Sequence, residues 1–145
     1  MKVKTMVALL AVAASASFAA PALAGGTTVK LGRTAAGQLL ETNSGMTLYM
    51  FTRDGRNRDA CLTISGCAQV WPPYTINGKP TAGHGVKSSL LGSIRISGGR
   101  HQVTYAGHPL YGYVGDSTAG DTGYLGFSSF GGTWFGVSAA GHAVR

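Results

Sequence analysis

Apolar and polar residues alternate along this chain over short stretches only, and glycine-rich or polar turns separate one stretch from the next. Short alternating runs are typical of strands, whereas an amphipathic helix needs an apolar stripe that recurs every three to four residues. We find no such stripe after the first 24 residues. The predicted strands lie at residues 38–41, 46–52, 94–96, 102–105, 109–114 and 133–137.

Two segments, residues 49–54 and 111–116, share the pattern Tyr-x-aromatic-x-x-Asp. A Gln precedes each segment and a Trp follows it, and the four pairs are offset by 62 to 64 residues. The paired landmarks are Gln38 with Gln102, Tyr49 with Tyr111, Asp54 with Asp116, and Trp71 with Trp134. Four landmarks in one order predict an internal duplication. The repeats span about residues 29–74 and 92–138, with a surface connection between them.

Each motif is predicted to lie on a strand that is at least partly buried on both faces. Side chains alternate across a strand, so two aromatic rings share one face and two aliphatic side chains share the other. The aromatic face carries Tyr49 and Phe51, or Tyr111 and Tyr113, and the aliphatic face carries Leu48 and Met50, or Leu110 and Val114.

The motif residues allow two interpretations. In the first they are architectural, because a carboxylate just beyond a strand accepts backbone N–H groups and fixes a turn while the tyrosine is buried behind it. In the second they line a pseudo-symmetric ligand cleft where the repeats meet. The residues concerned are Tyr49, Phe51, Asp54, Trp71, Tyr111, Tyr113, Asp116 and Trp134.

The high glycine content, 23 residues in 145, favours many turns between short strands. The fold class is therefore predicted as all-β, a small sandwich or partly closed barrel built from two pseudo-repeats. Each repeat is too small to bury enough apolar surface by itself, so residues 25–145 are expected to form a single domain.

Residues 1–24 have the features of a secretory signal peptide. Lys2 and Lys4 provide the positive start, an apolar run follows, and small residues precede a cleavage point after Ala24. No cysteine stands directly after that point, since the first one is Cys61, so a lipid anchor is not predicted. The expected location is periplasmic or secreted, with no transmembrane segment after the signal is removed.

The formal net charge is +7, and loss of Lys2 and Lys4 with the signal leaves +5. This excess favours anionic partners, such as an envelope component or a small ligand. The basic residues are scattered except for Arg53, Arg56 and Arg58, and no nucleic-acid-binding motif accompanies them. Specific nucleic-acid binding is therefore not expected.

Cys61 and Cys67 are the only cysteines. Export to an oxidising compartment favours a disulfide between them. Their spacing is wider than that of typical zinc pairs and differs from the redox motif Cys-x-x-Cys.

No catalytic constellation is recognisable, so the chain is predicted to be a non-enzyme without a cofactor or metal. Ser88, Ser89, Ser128 and Ser129 have no evident base. If Tyr105 pairs with His108 and His101 with Gly112, the two histidines lie about 13 Å apart and could not share a metal. The alternative function is a periplasmic copper or haem protein with His and Met ligands.

The two Tyr-x-aromatic-x-x-Asp segments occur together with stretches at residues 45–49, 67–73 and 102–111. In these features the chain resembles the bacterial secreted-repeat family of predicted lipoproteins, which is known for its Tyr-x4-Asp motif. The resemblance covers most of the chain beyond the signal. It implies an exported protein and provides no catalytic residue, because no activity is established for the family.

Overall fold

The computed structural model describes residues 28–145, so the predicted signal peptide lies outside the described residues. The strands are β1 Val29–Thr34, β2 Gly37–Thr42, β3 Tyr49–Phe51, β4 Thr75–Ile76, β5 Leu91–Arg95, β6 His101–Tyr105, β7 His108–Pro109, β8 Phe127–Ser129, β9 Gly132–Val137 and β10 Ala143–Val144. One short helix, α1, spans Cys67–Val70, and 3-10 turns span Cys61–Thr63, Ser88–Leu90 and Ser97–Gly99.

The strands named within residues 28–145 pair with one another in the antiparallel sense, and an isolated bridge between Val29 and Ala82 is parallel. β1 and β2 form a hairpin, β9 pairs with β3, β8 and β10, and β6 pairs with β4, β5 and β7. Within residues 28–145 the sheets do not close into a barrel. The predicted all-β class is confirmed, in the form of a small sandwich.

The two repeats exchange strands. β3 belongs to the first repeat and pairs with β9 of the second, with Tyr49 opposite Gly136. In the same way Tyr111 of the second repeat bridges to Pro73 of the first. At the centre Tyr49 and Tyr111 each donate their backbone N–H to the other's carbonyl, both at 2.9 Å. Each motif is therefore completed by the opposite repeat.

The motif segments are buried on both faces, as the alternation predicts. Leu48, Met50 and Leu110 belong to one hydrophobic cluster, which β1, β2 and β6 help to form. The aromatic side chains of the motifs belong to a second cluster that contains both cysteines and both tryptophans. Val114 departs from the prediction, because it is 60% exposed. A turn that starts at Tyr113 lifts the chain away from the sheet before Val114 can pack.

The glutamines are not equivalent positions in the two repeats. In the first repeat the Leu48 N–H donates to the Leu40 carbonyl at 3.0 Å, and in the second the Leu110 N–H donates to the Val103 carbonyl at 2.9 Å. Leu40 therefore corresponds to Val103, and Gln38, two residues before Leu40, corresponds to His101. Gln38 is exposed, whereas Gln102 is buried and donates to the Leu110 carbonyl at 3.1 Å. The Gln38–Gln102 landmark of the duplication is therefore wrong, and the Tyr, Asp and Trp landmarks carry it.

Several predicted strands are shorter than expected. The stretch 46–52 contains only β3 and a single bridge from Thr47 to Glu41, and the stretch 109–114 contains the end of β7 and the bridges at Tyr111. β1, β4, β8 and β10 are not among the predicted strands.

Candidate functional site

The two motifs form a pair of crossed hydrogen bonds. The Tyr49 hydroxyl donates to Asp116 Oδ2 at 2.8 Å, and the Tyr111 hydroxyl donates to Asp54 Oδ2, also at 2.8 Å. Each tyrosine thus binds the aspartate of the other repeat rather than that of its own. We call these contacts the first clasp, Asp54 with Tyr111, and the second clasp, Asp116 with Tyr49.

The backbone explains why the pairs cross. Tyr49 and Tyr111 face each other across the centre of the sheet, so each ring extends toward the far repeat. A tight turn follows each motif strand, in which Asp54 donates its N–H to the Phe51 carbonyl at 3.1 Å and Asp116 donates to that of Tyr113 at 3.2 Å. These turns bring each carboxylate back to the tyrosine that arrives from the opposite side.

A stack of aromatic rings fills the space between the clasps. Trp71 and Trp134 stack with centroids 4.0 Å apart and planes 4° apart. Phe51 covers Trp134 at 4.1 Å, and Tyr113 covers Trp71 at 4.4 Å. Both indole N–H groups donate to Ser129 Oγ, at 3.3 Å from Trp71 and 3.0 Å from Trp134.

Tyr49, Tyr111 and both tryptophans are fully buried in this cluster, and Phe51 is 1% exposed. The rings of Tyr49 and Tyr111 therefore face the packed interior. Any cleft at the motifs has to lie on the aspartate side of the clasps.

The environments of the two carboxylates differ. Asp54 is bound on both oxygens, because its Oδ1 accepts the backbone N–H of Ala60 at 2.8 Å. Asp116 Oδ1 is buried and has no hydrogen-bond partner in residues 28–145. In the second turn the backbone N–H groups of Ser117 and Thr118 go to Asp121 Oδ2 instead, at 2.8 and 2.9 Å.

Both clasp aspartates have raised pKa values. Burial raises the pKa of Asp54 to about 7, against the opposing effect of its bonds from Ala60 and Tyr111, and the nearby Asp59 charge adds to the rise. Burial raises the pKa of Asp116 as well, partly offset by the bond from Tyr49. The tyrosine pKa values are raised by burial and by the facing carboxylates.

A cleft of about 360 Å³ opens beside the first clasp. We call it the Arg cleft; its side chains include Arg53, Asp54, Arg58, Asp59 and Thr63. Asp59 Oδ1 accepts the N–H of Leu62 at 2.9 Å, and its Oδ2 is buried without a partner in the described part of the chain. The lining therefore combines two guanidinium groups with one clasp carboxylate and one partly unsatisfied carboxylate.

The local backbone holds both arginines at the cleft. Arg53 donates from Nη1 to the Phe130 carbonyl at 3.0 Å. Gly55 and Arg58 exchange backbone hydrogen bonds, both at 3.1 Å, which closes a small turn and fixes the start of the Arg58 side chain. At the 62-residue offset the second repeat has Gly115 and Gly120 in place of these arginines. The basic lining is thus a property of the first clasp alone.

The disulfide borders the same turn. Cys61 and Cys67 are bonded and fully buried, and both lie in the aromatic cluster with Trp71. The 3-10 turn at Cys61–Thr63 and α1 lie at the two ends of this small loop. The predicted disulfide is confirmed, and it supports the side of the Arg cleft that carries Ala60 and Thr63.

The predicted strand pairing around the histidines is correct in part. His101 pairs with Ile76 and Arg95, so its predicted pairing with Gly112 is wrong, although Tyr105 does pair with His108. In residues 28–145 no group of three or more His, Cys, Asp or Glu side chains is close enough to hold a metal ion. Met50 is a core residue. The copper or haem alternative stays a prediction without a ligand cluster to support it.

The structure brings together all eight motif residues that the sequence singled out, but it adds others. Asp59 and Arg58 join the first clasp, and Ser129 joins the two indoles. The sequence shows the arginine cluster as a local concentration of charge but does not predict its position beside the motif. Ser129 carries no sequence signal, because a serine that accepts two indole N–H groups looks like any other turn serine.

An all-β chain of two interleaved repeats, clasped by reciprocal Tyr–Asp bonds, defines the structural class of this protein. A family model described as a secreted repeat of unknown function matches residues 30–75 and 92–138. These stretches cover more than half of the chain, so the protein belongs to that family of secreted repeats, as the resemblance implied. No curated protein and no solved structure matches the chain. Residues 28–145 contain no helix long and apolar enough to cross a membrane.

Proposed function

We propose that this secreted-repeat protein is a non-catalytic binding protein whose Arg cleft holds a small anionic ligand. The observation that carries the proposal is the placement of Arg53 and Arg58 in one cleft of about 360 Å³, a volume typical of small-molecule sites. The equivalent turn of the second repeat has glycines there, so the shared fold does not require these charges.

The charges in the cleft favour an anion. With its pKa raised to about 7, Asp54 is largely neutral in mildly acidic surroundings, which leaves two arginines against Asp59. Guanidinium groups bind carboxylate and phosphate oxygens through paired, charge-assisted hydrogen bonds. Because Arg53 is already fixed by the Phe130 carbonyl, little side-chain entropy remains to be lost on binding.

The Tyr-x4-Asp motif has an architectural role in this proposal. It holds the two repeats together through the clasps and presents the turn that carries the arginines. Residues 25–145 then act as one domain, released after cleavage behind Ala24 into the periplasm or the medium. N-terminal sequencing of the exported protein should begin at Gly25.

Calorimetric titration with citrate and with inorganic phosphate at low ionic strength tests the proposal. Arg58→Ala should weaken binding about tenfold or more, since a hydrogen bond to a charged group contributes about 1.5–3 kcal/mol. Arg33→Ala, at an exposed arginine on β1 outside the cleft, is the matched control and should leave binding unchanged. Failure of both anions to bind, or equal effects of the two substitutions, would overturn the proposal.

A further inference from the structure

A second cleft lies at the hairpin formed by β8 and β9. It has a volume of about 370 Å³, and its lining is uncharged: Ser128, Ser129, Gly131, Gly132 and Thr133. The Ser128 and Thr133 hydroxyl oxygens lie 3.1 Å apart at its exposed side. We call this the hydroxyl cleft.

The hydroxyl of Ser129 is oriented by the aromatic core. Its oxygen accepts two indole N–H groups, from Trp71 and Trp134. A serine hydroxyl has two acceptor lone pairs and one donor proton, so the proton is the part left for another partner. Because Ser129 lines the hydroxyl cleft, an acceptor that enters the cleft can take this proton.

The side chain of Arg53 joins the two clefts. It lines the Arg cleft and its guanidinium donates to Phe130 in the loop of the β8–β9 hairpin. A Cβ atom on Gly131 would lie 3.0 Å from Arg53 Nη1, and one on Gly132 would lie 2.9 Å from Arg53 Cγ. The arginine thus lies directly against the wall of the hydroxyl cleft, and the glycines make room for it.

We propose that the two clefts form one groove that takes an acidic oligosaccharide. A uronic-acid carboxylate lies between Arg53 and Arg58, and the hydroxyls of a neighbouring sugar bind Ser128, Ser129 and Thr133. The inference rests on the proposed anion binding and extends it. An isolated anion uses only the charged half of the groove, whereas a charged sugar chain matches a charged half followed by a hydroxyl-bearing half.

Other large anions fit the groove less well. Single-stranded nucleic acid binds through aromatic platforms, and both tryptophans here are fully buried. An anionic membrane surface is bound by apolar side chains that insert between lipids together with clustered basic residues. The Arg cleft supplies clustered basic residues, but among the described residues no apolar side chain lines the hydroxyl cleft.

The experiment is a titration with oligogalacturonates of one, two, four and six sugars, followed by calorimetry at fixed ionic strength and mildly acidic pH. The tetramer should bind at least tenfold more tightly than the monomer. Arg58→Ala should weaken the binding of both. Ser128→Ala should weaken the tetramer at least threefold and leave the monomer unchanged. Ser44→Ala is the matched control, because Ser44 is also an exposed serine whose hydroxyl contacts a threonine hydroxyl.

The outcomes separate this inference from the one on which it rests. Equal affinities for monomer and tetramer would overturn the groove and leave the anion site intact. No binding of any uronate, while phosphate or citrate still binds, would also overturn the groove alone. No binding of any anion would overturn both proposals. Tighter binding to a thymidine oligonucleotide of equal charge, or to vesicles with anionic lipid, would overturn the assignment to sugars.

Discussion

The first and second clasps have the same hydrogen bond and different surroundings. In both, a buried tyrosine donates to a carboxylate of the other repeat at 2.8 Å. In the first clasp the carboxylate also binds Ala60, and arginines and a disulfide loop surround it. In the second clasp the other carboxylate oxygen is buried without a partner in the described residues, and glycines replace the arginines.

This difference distinguishes the residues that the fold requires, which occur in both repeats, from the residues that occur in the first repeat only. The tyrosine, the aspartate and the stacked tryptophan occur in both repeats, so they belong to the architecture that joins the halves. The features present on one side only, Arg53, Arg58 and the disulfide loop, are not needed to close a clasp. They are therefore the residues to which the proposed anion binding is assigned.

The largest effect is expected when the two clasps are separated. A fragment of residues 25–80 keeps Asp54 and Tyr49 but loses β9 and Tyr111, which pair with the motif strand. It should be unfolded by far-UV circular dichroism, and the full chain should unfold in one calorimetric transition. A soluble folded fragment, or two resolved transitions, would show that the repeats are independent and that the clasps are not what joins them.

The next effect concerns the unequal bonding of the two carboxylates. Asp54→Ala leaves the Ala60 N–H and the Tyr111 hydroxyl without their acceptor, so it should lower the free energy of unfolding by about 2–4 kcal/mol. Asp116→Ala removes one acceptor, which destabilises the fold, and one unsatisfied buried oxygen, which offsets part of that loss. It should therefore lower the free energy of unfolding by only about 1 kcal/mol. Thermal and urea unfolding of both variants measures the difference.

The order of stability of these two variants tests whether the bond from Ala60 strengthens the first clasp. If Asp116→Ala is the more destabilising change, the additional bond to Ala60 does not strengthen the first clasp. If both variants melt at or above the temperature of the parent protein, the architectural interpretation of the motif fails for both clasps, because functional carboxylates are often held at a cost to stability.

A smaller effect tests the crossing itself. In a double-mutant cycle on the free energy of unfolding, Tyr111→Phe and Asp54→Ala should have a coupling energy of about 1 kcal/mol, because they remove the donor and the acceptor of one hydrogen bond. Tyr111→Phe and Asp116→Ala belong to the same repeat but to different clasps. Their separate effects on the free energy of unfolding should add to within about 0.5 kcal/mol. Coupling within a repeat, with additivity across the repeats, would contradict the crossed arrangement.

The sequence was sufficient for the fold class and for the two buried faces of the motif, because both follow from local alternation. The alternation of Leu48, Tyr49, Met50 and Phe51 correctly assigned each side chain to its cluster. It failed at Val114, where a turn overrides the strand pattern. It also failed at β8, Phe127–Ser129, a short strand that lies just before the glycines of the β8–β9 hairpin.

The candidate site was less predictable, because its contacts join residues that are far apart in the chain. Tyr49 and Asp116 are 67 positions apart, and nothing in a single sequence states that the tyrosine of one repeat binds the aspartate of the other. The Arg53–Arg58 cluster was recognisable as charge. Its position over the first clasp depends on the turn at Asp54 and on the carbonyl of Phe130, and both require the folded chain.

The smallest effect is a difference in pH dependence between the clasps. Asp54 has a pKa of about 7 in the folded protein against an ordinary value of 3.8, so between these values the folded state binds a proton that the unfolded state does not. The stabilisation from this proton is complete below about pH 4 and is lost as the pH rises through about 7. The protein should therefore unfold more easily at pH 7.5 than at pH 5.

Asp54→Asn should flatten this slope near neutral pH, because the amide stays uncharged, although its single carbonyl oxygen replaces only one of the two carboxylate oxygens that accept from Tyr111 and Ala60. Asp116→Asn is the matched control at the second clasp, where burial also raises the pKa and Asp121 contributes to the rise. Urea unfolding at half-unit steps from pH 4.5 to 8 measures both slopes. If the slope between pH 6 and 7.5 is reduced only in the Asp116 variant, the carboxylate that titrates in this range is not Asp54. The charge of the Arg cleft would then not change with pH through Asp54, and anion binding there would not depend on pH for this reason.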